Sequence, residues 1–251
     1  PDVFEVENQE QFSSCTANAG CSALELMYKK HGTPYDLSRM FLYHYVRQIG
    51  GMVGDNGAQP RDIGKALKNY GVCLEATHPY TAANLEATPS NEAHAEAIPH
   101  KILSYEAITP LGGDILTQIK TSVVKGIPVL STIAVHNGLF ALTGDWKTHT
   151  WNWNTSQSNP LVGYHEVLII GYDDVSERLL LENSWGPGWG DGGFFGIPYA
   201  MMRSPSFGEL WVLYPSIEGM PIAPDEKKTW VSMELISGAV IFAAALFFMF
   251  R

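Results

Sequence analysis

The chain has 251 residues, of which 45% are hydrophobic and 17% are charged, and its formal net charge is −10. This length suits one large domain or two small lobes and can bury a sizeable core. The acidic balance, without a basic stripe, excludes a nucleic-acid-binding class, and three cysteines are too few for a disulfide scaffold.

The first predicted element is a helix that follows Cys15 and runs to Lys30, where Gly32 ends it. Ser13 or Ser14 is expected to cap its N-terminus. A thiol in the first turn of a helix feels the positive end of the helix dipole, which favours the nucleophilic thiolate. On this stretch alone, an inert buried cysteine is the commoner case.

A glycine-rich loop lies between two further predicted helices. The helices cover residues 36–50 and 61–70, and Gly71 is the expected C-cap of the second. The loop over residues 50–60 contains four glycines and is either a mobile connector or a segment whose backbone pairs with an extended peptide. The polar residues 81–99 are predicted to form a surface excursion at the boundary between two lobes.

The second half of the chain predicts a sheet with antiparallel strands. Two such strands joined by a short turn should place His165 and Asn183 near the same end. Residues 137–160 form an irregular insertion. Its glycosylation sequon, Asn154-Thr155-Ser156, is used only if the chain enters a compartment in which glycosylation occurs. The strands are predicted over residues 101–107, 127–135, 164–172, 179–183 and 209–214, with a helix over 113–125.

The C-terminal end differs in kind from the rest of the chain. Residues 235–250 are sixteen residues without a charge, and Arg251 follows them. A helix of that length spans about 24 Å, short of the roughly 30 Å hydrocarbon core of a bilayer. Preceding residues can extend it, so we expect a linker over 219–232 and a single-pass transmembrane anchor over 233–251. The alternatives are a buried core helix or a chain cut short, and the side of the membrane is left open.

A cysteine at a helix start, a histidine on a late strand and an asparagine after the next strand form a chemically coherent set. A thiolate attacks a carbonyl carbon, an imidazolium protonates the leaving amine, and an amide oxygen fixes the imidazole tautomer. Cys15, His165 and Asn183 supply these groups. The other two cysteines, Cys21 and Cys73, are either a disulfide pair or two buried thiols.

The motifs around this set resemble those of the papain-like cysteine peptidases, in their bacterial and viral branch. The segments that carry the resemblance are QEQFSSCT at 9–16, GYHEVLIIGYDD at 163–174 and ENSWGPGWGDGGFF at 182–195. The last is the most specific of the three, and the order cysteine, histidine, asparagine adds to it. The resemblance extends over residues 3–215.

The resemblance implies an α+β fold with two lobes. A helical lobe over residues 1–100 would carry the cysteine, and an antiparallel, β-barrel-like lobe over 101–218 would carry the histidine and asparagine. A protein or peptide substrate would bind extended in the cleft between them, without a cofactor or metal. Because members are usually made with an inhibitory propeptide, processing just before Pro1 is expected.

The resemblance also implies roles for individual residues. Gln9 and the backbone N–H of Cys15 would hold the oxyanion of the reacting carbonyl. Gly57 and Ala58 would pair with the substrate backbone, and Trp185 would shield the hydrogen bond between His165 and Asn183. Thr132, on the strand after Pro128, is a candidate for the wall of a substrate pocket.

Several positions depart from the family pattern. Glu10, Ser13 and Ala58 stand where the family has glycine, and a side chain at Ser13 could narrow the cleft. Phe12 and Asp55 occupy positions at which many members have a disulfide. Glu166 follows the histidine and is expected to point to the opposite face of the sheet, with little effect on the ion pair.

Three functions are consistent with this pattern. The first is an active cysteine endopeptidase that the C-terminal helix tethers to a membrane. The second is a catalytically weak papain-like domain that serves as a structural or binding component of a membrane assembly, motivated by the departures at Glu10, Ser13 and Ala58. The third is a related transferase or deamidase on the same scaffold.

Overall fold

The computed structural model of the chain describes residues 6–217. The predicted linker over 219–232, the predicted anchor over 233–251 and the chain start at Pro1 lie outside the described residues. Within 6–217, no helix combines the length and the apolar character that a bilayer crossing requires.

The regular secondary structure described before residue 100 is helical, and α1 is buried along most of its length. It packs against α2 and also against strands β2 and β3 of the sheet described below. The helices of the described residues are α1 (Cys15–Lys30), α2 (Arg39–Gly50), α3 (Pro60–Asn69), α4 (Asn91–Ala97), α5 (Ile115–Val124) and α6 (Asn137–Phe140).

The start of α1 is confirmed at Cys15, with Ser14 as the N-cap residue. The expected side-chain cap was wrong, because the Ser14 hydroxyl makes no hydrogen bond to the first turn. It instead accepts a 3.0 Å hydrogen bond from Nδ2 of Asn18 and bonds the hydroxyl of Tyr80. Gly32, with φ +86°, follows the end of the helix. The side chain before the cysteine therefore links two segments and leaves the first N–H groups of α1 uncapped.

Helix α2 begins three residues later than predicted. Oγ of Ser38 accepts a 3.0 Å hydrogen bond from the N–H of Phe41, which makes Ser38 the N-cap. The N–H of Leu37 donates to the Glu25 carboxyl group at 2.7 Å and is therefore held outside the helix. The cap, rather than the apolar pattern, sets the first residue of α2.

The polar stretch 81–99, predicted as a surface excursion, contains the short helix α4. Oγ of Ser90 accepts from the N–H of Ala93 and caps α4. Ala93 and Ala97 are completely buried. These small side chains let a short helix pack closely even though its other face is polar.

The strands form one antiparallel six-stranded sheet in the order β1-β6-β2-β3-β4-β5. Strand β2 is buried at every position, which confirms the predicted buried strand. Strand β3 is longer than predicted at both ends. The strands are β1 (Ile102–Ala107), β2 (Val129–His136), β3 (Leu161–Asp173), β4 (Arg178–Glu182), β5 (Phe194–Pro198) and β6 (Phe207–Pro215).

Several polar and sulfur-containing side chains lie in the interior. Cys21 and Cys73 are both buried free thiols, which excludes the disulfide alternative in this structure. Arg39 is buried and forms an ion pair with Glu7. Glu182, the last residue of β4, is also buried.

Gly71 is required by the backbone after α3. Its φ is +76°, and a Cβ atom there would overlap the carbonyl oxygen of Ala97. We expect Gly71→Ala to lower the free energy of unfolding by about 3 kcal/mol, from left-handed strain plus overpacking. Thermal denaturation should show a melting temperature about 6–12 °C lower.

The matched control for this change is Gly32→Ala. Gly32 also has a positive φ, but no atom lies within 4 Å of a Cβ placed there. Only the backbone strain remains, so the loss should be about 1–2 kcal/mol. Equal melting temperatures for the two variants would contradict the steric role of Ala97.

Candidate active site

The start of α1 places Cys15 against strand β3. Cys15 is 6% exposed, and the backbone N–H of Glu166 is close enough to its thiol to lower the pKa of that thiol. Glu166 directly follows His165 in β3. The structure thus brings the cysteine to the stretch of the sheet that carries the histidine, although the two are 150 residues apart in the chain.

The pairing of β3 with β4 brings His165 to Asn183. Leu168 pairs with Glu182, so the residue after β4 lies beside the first half of β3. Nε2 of His165 lies 2.7 Å from Oδ1 of Asn183. Because an amide oxygen only accepts, Nε2 carries the hydrogen. In the neutral ring, Nδ1 is then free of hydrogen and can accept a proton.

Aromatic rings cover this histidine. The ring of Trp185 lies 4.8 Å from that of His165 at an interplanar angle of 30°. Phe140, the last residue of α6, stacks on the indole with the ring centroids 5.3 Å apart, and Trp189 meets the indole edge-on. The indole therefore limits the access of water to the histidine–asparagine pair, which strengthens a hydrogen bond there.

Gln9 is held from both ends of its amide group. Its Nε2 donates to the carbonyl oxygen of Phe12 at 2.9 Å, and its Oε1 accepts from the Ser184 hydroxyl at 2.6 Å. Its backbone N–H also donates to the carbonyl of Ser184. Since an amide nitrogen carries two hydrogens, one remains for another acceptor. Ser184 was missed as a supporting residue, although it lies in the motif next to Asn183.

Tyr80 is a second supporting residue that the sequence reasoning did not single out. Its hydroxyl donates to the backbone carbonyl of Gln9 at 3.0 Å and bonds the Ser14 hydroxyl. It therefore ties the glutamine to the residue before Cys15. In the sequence, the Pro79-Tyr80 pair was the only indication that Tyr80 belongs to the site.

Burial dominates the electrostatics of the cysteine and histidine. It raises the pKa of Cys15 to about 12, against the smaller effect of the N–H groups of Glu166, Thr16 and Cys15, which lower it. It lowers the pKa of His165 to about 4, although the bond to Asn183 raises it. The helix start thus acts in the expected direction but is outweighed. Neither group ionises readily alone, so charge must form on both together.

Glu166 also acts on the cysteine, although less than burial does. Its carboxyl group accepts a 2.7 Å hydrogen bond from the Thr132 hydroxyl, and both residues are buried. Its negative charge raises the pKa of Cys15. Burial raises its own pKa to about 8, helped by Glu209 and opposed by Thr132. The carboxyl group bonds Thr132, and its electrostatic effect reaches further than this contact.

Glu166→Gln should change the alkaline behaviour of Cys15. Above about pH 8, ionised Glu166 opposes the thiolate, whereas glutamine stays neutral. We expect iodoacetamide to alkylate the variant up to about tenfold faster than the wild type at about pH 9, and equally fast at about pH 6.

Thr132→Val provides a directional control for that prediction. The Thr132 hydrogen bond lowers the pKa of Glu166. Its removal should raise the pH at which Glu166 ionises, so alkylation at about pH 9 should again be faster than in the wild type, by less than in Glu166→Gln. Identical profiles for wild type and Glu166→Gln would show that the carboxyl group does not act on the thiol.

The loop that joins α2 to α3 carries the remaining candidates. The N–H of Gly57 donates to the hydroxyl of Tyr43 at 3.1 Å, and Gly57 has φ +76°. The Ala58 side chain is buried, and its N–H has no hydrogen-bond acceptor within residues 6–217. Of the two candidates, Ala58 is therefore the one with a free backbone donor.

One departure from the family pattern, at Glu10, coincides with an uncommon backbone conformation. Glu10 has φ +53°, a left-handed conformation that is uncommon for a residue with a side chain. Its N–H donates to Oδ1 of Asn8 at 2.9 Å. The turn between Gln9 and Cys15 thus keeps a backbone conformation that glycine adopts more readily.

Comparisons with known proteins agree with this geometry. A model of the papain family of cysteine proteases matches residues 1–204. A peptidase C1-like protein of Acanthamoeba polyphaga mimivirus is 28% identical over 222 residues, which cover 85% of this chain and 70% of that protein. Cysteine proteinase 2 of Entamoeba histolytica is 27% identical over 201 residues, which cover 78% of this chain and 60% of that enzyme.

The fold is also similar to a solved structure. Xylellain, a cysteine protease from Xylella fastidiosa, matches with a TM-score of 0.74 and 28% sequence identity. The match covers 86% of this chain and 84% of the xylellain chain. The arrangement of helices and antiparallel sheet described above is therefore one that a bacterial protease shares.

Proposed function

Because the chain belongs to the papain family of cysteine proteases, we propose that it hydrolyses peptide bonds by nucleophilic attack of Cys15. The observation that carries the proposal is the 2.7 Å hydrogen bond from His165 to Asn183. His165 belongs to β3, the strand next to the Cys15 thiol. The hydrogen bond leaves Nδ1 of the imidazole as the proton acceptor.

The reaction begins with proton transfer from the Cys15 thiol to Nδ1 of His165. The thiolate attacks the scissile carbonyl carbon, a C–S bond forms, and the carbonyl oxygen becomes an oxyanion. When this intermediate collapses, the C–N bond breaks and the imidazolium gives its proton to the departing amine. A water molecule, deprotonated by the same imidazole, then attacks the thioester and releases the acid and the thiol.

Gln9 and the start of α1 supply the groups that stabilise the oxyanion. One Nε2 hydrogen of Gln9 is held by Phe12, and the second is the proposed donor. The N–H of Cys15, in the first turn, has no partner within its helix. Each such donor lowers the barrier by about 3 kcal/mol in related chemistry. Tyr80 and Ser184 hold Gln9 in place for this role.

A catalytically weak domain with a binding or structural role is the second candidate. The small exposed fraction of Cys15 and the raised pKa of its thiol favour it. For catalysis to occur, substrate binding in the cleft must offset the free-energy cost of forming the Cys15 thiolate and the His165 imidazolium there. The two candidates differ in whether the thiol reacts with a peptide-like electrophile.

Turnover of a fluorogenic peptide library by the full chain, together with labelling by a peptidyl epoxide, tests the proposal. We expect cleavage, and one covalent adduct per chain on the peptide that contains Cys15. Free amine and acid as the products exclude the transferase and deamidase alternatives. A chain that neither cleaves nor becomes labelled is the weak domain.

We also propose that residues 233–251 anchor the chain in a membrane. The support is the uncharged run over 235–250, followed by Arg251. The full chain should float with lipid vesicles at high salt, whereas a chain that lacks residues 219–251 should not. Flotation of both forms, or of neither, would contradict the anchor.

A further inference from the structure

A single carboxyl oxygen joins the segment before Cys15 to the loop after α2. Oδ1 of Asp55 accepts a 2.9 Å hydrogen bond from the backbone N–H of Ser13 and a 2.7 Å hydrogen bond from the hydroxyl of Tyr43. The Tyr43 hydroxyl in turn accepts from the N–H of Gly57 at 3.1 Å. We call these four residues, Ser13, Asp55, Tyr43 and Gly57, the carboxyl–phenol link.

Helix α2 provides the fixed base of the link. Tyr43 is completely buried on this helix, so its hydroxyl has to find partners inside the protein, and it both donates and accepts. Burial raises the pKa of Tyr43, which keeps the phenol protonated as a donor. The phenol in the middle of the link therefore stays protonated at neutral pH.

Arg47 holds the same loop one helical turn further along α2. Its guanidinium lies 4.6 Å above the ring of Tyr43 and donates to the carbonyl of Gly54 at 2.7 Å. It also bonds the carbonyl of Leu85 and the carboxylate of Glu86. Two side chains on one face of α2 thus hold the loop: Arg47 binds it at Gly54, and Tyr43 binds it at Gly57.

The two ends of the link lie next to the two parts of the candidate site. Ser13 is two residues before the proposed nucleophile, and Gly57 directly precedes Ala58, whose N–H has no acceptor within residues 6–217. A displacement of either end changes the distance between the thiol and a substrate strand held by the loop. Reaction rates are sensitive to such displacements, since misplacement by about 1 Å can cost about a hundredfold.

We propose that Asp55 and Tyr43 are positioning residues, which set the distance between the nucleophile segment and the substrate loop through the carboxyl–phenol link. They touch neither the thiol nor the imidazole. For its catalytic consequence, this inference rests on the proposed function. The link itself is a property of the fold and is measurable in an inactive chain.

Amide hydrogen exchange on the full chain, resolved to single residues, tests the link directly. Tyr43→Phe removes the acceptor of the Gly57 N–H, so exchange at Gly57 should accelerate at least tenfold. Asp55→Ala removes the acceptor of the Ser13 N–H and should accelerate exchange at Ser13. Asp55→Asn retains a carbonyl oxygen and should preserve most of the protection at both positions.

Steady-state kinetics with an extended peptide test the positioning role. Tyr43→Phe and Asp55→Ala should lower kcat/KM about tenfold, mainly through a higher KM, because the substrate strand is no longer held in place. Asp55→Asn should restore most of it. Alkylation of Cys15 by iodoacetamide, which is too small to use the loop, should stay within about twofold in all variants.

Tyr45→Phe is the matched control. Tyr45 lies on the same helix, but its hydroxyl bonds His94 and its ring stacks on Tyr70, away from the loop. Its loss should leave exchange at Ser13 and Gly57, and KM, unchanged. Unaltered exchange in Tyr43→Phe and Asp55→Ala would overturn the link, and an unchanged KM would overturn the positioning role. A wild-type chain without turnover would count against the proposed function, while the exchange data would still decide on the link.

Discussion

Cys15→Ala should abolish peptide hydrolysis, with a loss of at least about 10⁴-fold in kcat. Alanine cannot form the thioester, and the hydroxyl of the neighbouring Ser14 is bound to Tyr80 and Asn18. The measurement is kcat/KM with the best peptide from the library. Because the side chain is buried and small, the variant should fold, and circular dichroism checks this.

The chain contains two matched controls for this substitution. Cys21 and Cys73 are also buried free thiols, and replacing either with alanine removes the same atom. Their variants should retain activity within about threefold. Turnover by Cys15→Ala within tenfold of wild type would refute the assignment of the nucleophile.

His165→Ala should lower kcat/KM by about 10³-fold or more, because it removes both the proton acceptor for the thiol and the proton donor for the leaving amine. It should also change the pH dependence of alkylation. Burial raises the pKa of Cys15 to about 12, so without the imidazole the rate should climb with pH through the whole accessible range. The wild type should already react at neutral pH, because the imidazole accepts the proton of the thiol.

His136 is the matched control for the histidine. It is completely buried at the end of β2, next to β3, and its Nε2 bonds Thr155. His136→Ala should retain the wild-type alkylation profile, even if it unfolds at a lower temperature. Neutral-range alkylation that persists in His165→Ala would refute the coupling of the two groups.

The elements that local signals define were predictable from the sequence. The start of α1 at Cys15 and the buried strand β2 follow from apolar pattern and helix-ending residues. The proximity of His165 and Asn183 follows from antiparallel pairing alone. These features depend on neighbours in the chain or on one strand pairing, so a pattern over ten to twenty residues contains them.

The features that depend on tertiary contacts were not predictable. Helix α2 starts at Arg39 because the Ser38 side chain, rather than the apolar pattern, decides the first turn. The effect of Glu166 on the thiol depends on how deeply both groups are buried. Asp55, noted only as a missing disulfide position, turned out to accept two hydrogen bonds from two different segments. No local pattern carries that information.

The buried glutamic acids make unfolding a proton-releasing reaction. Burial raises the pKa values of Glu25 and Glu166 to about 8 and that of Glu182 to about 7, from an ordinary value of 4.5. At pH values between the ordinary pKa and these raised pKa values, the three carboxyl groups are protonated in the folded chain. They lose these protons when the chain unfolds. Their contribution to stability is fully present below about pH 4.5 and is lost as the pH rises through 7–8. Through these three groups, mild acidification drives the equilibrium towards the folded chain.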